Sequence, residues 1–149
     1  MTTFAYNRKA GFDYEILETY EAGIILFGHE VKAIKTGHLS LAGAYVVIRG
    51  NEAFLINAHI PPYQPKNTPP DYDPNRSRKL LMHKSEIASL IGKTRQKGLT
   101  LAPLKVYTKR DKLKLEFALA RGKKKFDKRT KIIERETKRK IDRAMREKY

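Results

Sequence analysis

Seven consecutive residues, Lys123-Lys124-Lys125-Phe126-Asp127-Lys128-Arg129, combine five cations with one aromatic ring and one carboxylate. In so polar a segment Phe126 has no core to join, and its ring suits stacking on an exposed nucleobase. The cations suit phosphates, while Asp127 either accepts hydrogen bonds or caps a helix running from Lys128. In that helix Ile133, Thr137, Ile141 and Met145 form a narrow stripe. A second cluster, Arg76-Ser77-Arg78-Lys79, precedes the apolar Leu80-Leu81-Met82. On spacing alone it reads as a strand whose first residues are wet. By the same standard Glu21 and Glu30 are ordinary surface carboxylates, although a carboxylate among phosphates has a use when it accepts from a base.

Catalytic chemistry finds little support. There is no H-E-x-x-H, no G-x-S-x-G and no phosphate loop, and the four histidines are scattered. Asp71 and Asp73 have a spacing that could hold Mg²⁺, but in a proline-rich loop Asx-turn chemistry accounts for them more simply. A nuclease using Asp71, Asp73 and Glu30 therefore ranks behind binding functions. No metal or cofactor site is expected.

Charge sets the partner class. The 149 residues carry a formal +16, and from Ala120 to Tyr149 fourteen Lys/Arg face five Asp/Glu. Both parts of the chain are basic, which points to nucleic acid. A membrane surface is the weaker option, because no Trp/Leu-rich amphipathic face accompanies the charge. No apolar run approaches a membrane span, the start MTTFAYNRKAG lacks a signal-peptide core, and there is no Cys. Cytosolic residence fits these features.

The elements that must position these groups follow from pattern. Residues 14–19 and 22–27 read as two strands joined near Tyr20-Glu21, with Gly28 breaking the run. Residues 30–36 read as a helix stopped by Gly37. A hairpin, 44–49 and 52–57, turns on Gly50-Asn51. Six prolines make 61–74 a loop. Residues 84–97 read as a helix with Ile87, Leu90 and Ile91 on one face, ended by Gly98. A strand over 99–107 is interrupted by Pro103, hence an edge or a bulge. In the last strand, 112–119, Leu113, Leu115, Phe117 and Leu119 face one way, and Lys112, Lys114, Glu116 and Ala118 the other. Six antiparallel strands with peripheral helices predict a mainly β fold, a small OB-like barrel over 1–121, followed by a basic tail over 122–149. A half-open α+β sandwich is the alternative. RNA-induced folding of the tail is expected rather than a solubilising role.

The segments NRKA (7–10), DYEILETYEAGIILFGHEVKAIKTG (13–37), EAFLINAHIPPY (52–63), DPNRSRKLLMH (73–83), KGLTLAPLKVY (97–107) and LARGKKKFDKR (119–129) form an ordered set. That set resembles the SsrA-binding protein (small protein B) family, the partner of transfer-messenger RNA in trans-translation. The chain departs from the expected pattern at His29, Ala33 and Lys35, where Thr, Ser and Arg are usual, and at Met82 and Phe126. Lys35 keeps the charge but loses the bidentate fork of Arg.

The resemblance implies an OB-type barrel bound to the tRNA-like domain of transfer-messenger RNA, so that the pair mimics a tRNA. It places Asn7, Arg8, Glu21, Glu30 and Lys32 at or near that RNA, with Arg76, Arg78 and Lys79. Leu81 is included through packing or contact, against the simpler reading that it is core. It implies that the tail is disordered when free, and that in a stalled ribosome it enters the small-subunit decoding centre and vacant mRNA channel as a helix. Gly122 would be its hinge, Phe126 would stack, and Lys123, Lys124, Lys125, Asp127, Lys128 and Arg129 would hold it there. The elongation factor that delivers aminoacyl-tRNA is an implied partner, and the protein is expected to be a monomer. A structural ribosomal protein or general RNA chaperone remains the alternative.

Overall fold

The computed structural model describes residues 2–122, so every expectation for residues 123–149 lies outside the described residues. In chain order the elements are β1 (Thr3–Tyr6), α1 (Ala10–Asp13), β2 (Tyr14–Ile24), α2 (Gly28–Lys35), β3 (Tyr45–Arg49), β4 (Glu52–Ile56), a 3-10 turn (Pro65–Asn67), β5 (Arg78–Leu81), α3 (Lys84–Thr94), β6 (Leu99–Lys109) and β7 (Lys112–Gly122). The strands follow one another as β1-β6-β3-β4-β5-β2-β7, all antiparallel, and β7 pairs back onto β6. Six strands therefore close into a barrel, and β1 lies outside the closure on β6. Closure removes free sheet edges, which suits a short chain with little helix to cover them.

The alternation of β7 places Leu115, Phe117 and Leu119 inside, where they meet Leu55, Leu80, Leu101 and Val106. Ile34 of α2 and Leu90 of α3 complete this core. On α3 only Ile87 and Leu90 are buried; Ile91 is half-buried at the margin. On the outward side of β7, Lys112 is exposed and Lys114 and Glu116 are half-buried, but Ala118 is fully covered.

Several expected boundaries shift. Residues 14–24 form one strand, not two. Tyr20 faces inward, its ring stacked on Phe117 at 5.6 Å, and Glu21 lies opposite Glu116 in an unbroken ladder. The chain takes up its irregularity at a bulge between Ile16 and Glu18 instead. Gly28 opens α2 rather than ending a strand, and Gly37, at φ 84°, follows the helix stop. α3 ends at Thr94, before Gly98 at φ 85°. Pro103 sits in a bulge, as its missing N–H requires, but not at an edge, because β6 has neighbours on both sides. Merging 14–19 with 22–27 leaves five of the six expected strands, and β5 together with β1, unassigned from the sequence, brings the sheet to seven. The β6–β7 turn uses Arg110 (φ 52°) and Asp111 (φ 61°), two left-handed residues without a glycine. Both strands consequently run further than their apolar pattern.

Candidate nucleic-acid interface

The residues nominated from the sequence separate into a buried cluster and an exposed face. Glu30 and Arg78 are the buried charged side chains among the described residues, each 0% exposed. Both expectations of a wet surface position are thus corrected. The cause is the proline-rich loop, which has no ladder to satisfy its carbonyls. Arg78 answers with all its donors. Its Nη1 donates to Ala58 O (2.6 Å) and Arg76 O (3.1 Å). Its Nη2 donates to Pro74 O (2.9 Å) and Tyr72 Oη (3.1 Å), and its Nε donates to Glu30 Oε2 (2.8 Å). Glu30 stands in the third position of α2 and also accepts the Phe27 N–H at 2.8 Å, tying the helix start to the loop. Arg76 pairs with Glu30 through Nη2 and stacks its guanidinium over Phe27, 4.0 Å from the ring centroid.

Burial alone would push the Glu30 carboxyl up. Hydrogen bonds from Arg76, the Phe27 N–H and Arg78, with the Arg78 charge, outweigh it and hold the group at about 2. Burial and the neighbouring Glu30 carboxylate push Tyr72 up to about 12. At neutral pH the cluster is therefore two cations, one anion and a neutral phenol, locked together. Glu30 and Arg78 have no surface to offer a docked RNA; they hold α2, the loop and β5 in register. Asp73 accepts the Asn75 N–H at 2.9 Å, the Asx turn expected of it.

Glu21 and Leu81 come together on the outer face. Gly23 on β2 pairs with Leu81 of β5 and with Lys114 of β7. A Cβ at Gly23 would stand 3.4 Å from Leu81 Cβ and 3.8 Å from Lys114 Nζ, so the glycine lets both side chains close over the sheet. Leu81 is 57% exposed and is not core. Glu21 accepts from Tyr107 Oη and lies 3.5 Å from Lys109 Nζ. The Tyr107 hydroxyl bond, and behind it Lys109, lowers its carboxyl against a raising effect of burial. Burial, followed by that same bond, raises the Tyr107 phenol. Lys109, Arg110, Lys112 and Lys114 surround Glu21 in one shallow cleft. Lys105, 3.3 Å from Glu116, continues the row across β6 and β7. These cations of β6 and β7 were not nominated from the sequence. Their signal was present in the outward positions of the last strand, but it needed the neighbouring strand to become a patch.

The other nominated residues line none of the clefts that Glu21 and Leu81 line. Asn7 donates through Nδ2 to Pro103 O at 2.9 Å, filling the bulge, and Arg8 beside it is exposed. Lys32 is exposed on α2. Lys79 is paired with Glu52 at 3.0 Å. Gly122 ends β7, exposed and paired in register with Tyr14. No helix among the described residues is long and apolar enough to cross a membrane.

Residues 4–147 match the model of the SmpB protein family. The chain belongs to that family. It is similar to the SsrA-binding protein of Thermosynechococcus vestitus, 51% identical over 141 residues, 95% of this chain and 93% of that protein. The SsrA-binding protein of Symbiobacterium thermophilum is likewise 51% identical, over 146 residues covering 97% and 92%. A solved structure described as "tmRNA-SmpB: a journey to the center of the bacterial ribosome" contains a chain 49% identical to this one. The match has a TM-score of 0.67 and covers 81% of this chain and 85% of that one. The antiparallel barrel is thus the fold of this family, as the ordered motifs implied, with seven strands in its sheet where six were expected.

One consequence for the family's expected RNA face concerns Leu81. Being mostly exposed, it is expected to tolerate Leu81→Ala with a stability change within about 0.5 kcal/mol. Affinity for the tRNA-like domain is expected to fall several-fold. Thermal unfolding beside a binding titration checks this, and a large loss of stability with unchanged affinity would return Leu81 to a packing role.

Proposed function

We propose that this chain is an RNA-binding adaptor of trans-translation that binds the tRNA-like domain of transfer-messenger RNA and brings it to stalled ribosomes. The observation that carries the reading is the outer face of β5, β2, β7 and β6. It presents an exposed leucine beside a hydrogen-bonded glutamate, ringed by lysines, in a chain of the SmpB family. Such a surface suits a structured RNA. Lysines meet phosphates without reading sequence, a rigid carboxylate accepts from a base or a 2′-hydroxyl, and an apolar contact packs on a ribose or base face.

In this proposal residues 1–121 are the specific reader and residues 122–149 the ribosome-directed tail. Gly122 is the hinge. Phe126 stacks in the decoding centre, and the cations from Lys123 to Arg129 enter a vacant channel walled by phosphate. A channel filled with mRNA excludes such a segment sterically and electrostatically, which restricts action to stalled ribosomes. The protein works as a cytoplasmic monomer without catalysis, together with the elongation factor that carries aminoacyl-tRNA.

A competition assay at near-physiological salt tests the proposal. Labelled tRNA-like domain is expected to be retained by the full-length protein at least about 100-fold better against ordinary tRNA than against itself, since specific sites exceed non-specific binding by several kcal/mol. Equal displacement by any structured RNA would favour a general RNA chaperone or structural ribosomal protein.

A further inference from the structure

A cleft of about 560 Å³ opens between the start of α2 and the proline-rich loop, away from the lysine-ringed face. Its walls include Phe27, His29, Tyr72 and Arg76, with the carboxylates of Asp71 and Asp73 at its margin. We infer that this cleft is a docking site for an unpaired guanine base of the bound RNA. The inference rests on the RNA-binding reading above.

Four observations converge on a base. The first is the stacking surface. Phe27 is 52% exposed, and the Arg76 guanidinium carbon stands over its ring, 4.0 Å from the centroid. Aromatic rings and guanidinium planes are what proteins use to hold splayed-out bases. The second is rigidity. His29 and Tyr72 meet edge-on at 4.6 Å, and Tyr72 and Arg76 both belong to the Glu30 cluster beneath. The walls are already ordered, so little conformational freedom is lost when a ligand enters.

The third observation is charge. In a chain of net +16 this cleft is lined by two aspartates, and its one cation, Arg76, is already paired with Glu30, so phosphate is left to the lysines elsewhere. The fourth is the free acceptor. Asp73 is engaged by Asn75, whereas Asp71 has no hydrogen-bond or ion-pair partner among the described residues. Guanine alone presents two adjacent donors, N1–H and N2–H, that match both oxygens of one carboxylate. Adenine sets an acceptor beside its single amino group and meets that carboxylate poorly.

Aromatic NMR of the full-length protein tests this, with GMP, AMP and ribose 5-phosphate as probes. GMP is expected to shift the Phe27, His29 and Tyr72 ring signals, AMP to bind roughly tenfold more weakly, and ribose 5-phosphate to leave those rings unmoved. Phe27→Leu is expected to weaken both nucleotides about tenfold. Asp71→Asn is expected to reduce the preference for GMP to about twofold or less. Ring signals that ignore both nucleotides, that follow ribose 5-phosphate equally, or that answer an arginine-rich peptide instead, would overturn the assignment. Binding of the tRNA-like domain, run in parallel on the wild-type protein, separates the two failures. Silent rings with selective RNA binding remove the guanine site alone; loss of selective RNA binding removes the adaptor reading itself.

Discussion

Glu30→Ala is expected to lower folding stability by about 3–5 kcal/mol, because it leaves the Arg78 charge buried with no anion. Among the described residues no other group stands within reach to replace it, since the remaining partners of Arg78 are three carbonyls and a phenol. The melting temperature is expected to fall by roughly 10–20 °C, a large share of the margin of a small domain. Glu52→Ala provides the control. Its pair with Lys79 is half-exposed on both sides and is worth at most about 1 kcal/mol. Equal melting temperatures for the two variants would show that the interior cluster does not hold the loop.

The same carboxylate sets an acid limit. Its folded value is depressed from 4.5 to about 2. Its contribution is therefore complete above the unfolded value and is lost as pH falls from about 4.5 towards 2. The amount at stake is about 3 kcal/mol. Denaturant melts between pH 5 and 3 are expected to lose stability steeply for the wild-type chain and more shallowly for Glu30→Gln, which has no proton to take up there. Parallel slopes would assign the acid sensitivity to other carboxylates.

The fold was legible wherever one element carried its own pattern. Leu113, Leu115, Phe117 and Leu119 mark β7 without reference to anything else, and Gly50 marks the β3–β4 turn. It became illegible where a partner decides. Tyr20-Glu21 looks like a polar break, yet Tyr20 fills the space beside Phe117 and Glu21 meets Tyr107 across the sheet. β1 is four residues long, and its strand character comes from β6. Arg110-Asp111 lacks the asparagine-glycine signature of a tight turn, so the pattern leaves 108–111 unassigned and does not bring Lys109 of β6 beside Lys112 of β7.

Charge gave the wrong sign of burial at Glu30 and Arg78 for the same reason. Their partners lie up to 48 residues apart in sequence and converge only when the loop folds over α2. The ordered motifs nevertheless carried the family, since they hold the core and the cluster together whatever the local reading of each residue. Within that set the structure separates exposed side chains, such as Leu81 and Arg8, from the buried Arg78, which holds the loop. A loss of RNA binding on replacing Arg78 would thus report a collapsed loop rather than a missing contact.

Trans-translation, as the family resemblance implies it, tags the stalled nascent chain for proteolysis; truncation after Arg121 is expected to abolish that tagging while changing affinity for the tRNA-like domain by less than about tenfold. In the proposed mechanism the two outcomes separate because the two parts meet different RNAs. Thirteen Lys/Arg and five Asp/Glu lie beyond Arg121, so the truncation halves the net charge from +16 to +8. Binding that came from undirected attraction to phosphate would weaken sharply, and its dependence on salt would flatten with it. Binding through the outer face of the barrel keeps Leu81, Glu21 and the lysines of β6 and β7, and should keep its preference over ordinary tRNA. Tagging, however, requires the complex to recognise an empty decoding site, and in the proposed mechanism only the tail reaches it. Titrations at two salt concentrations, paired with an in vitro tagging reaction on ribosomes stalled at the end of a message, measure both. If affinity and tagging fall together, the tail is part of the RNA grip and the division of labour at Arg121 is wrong.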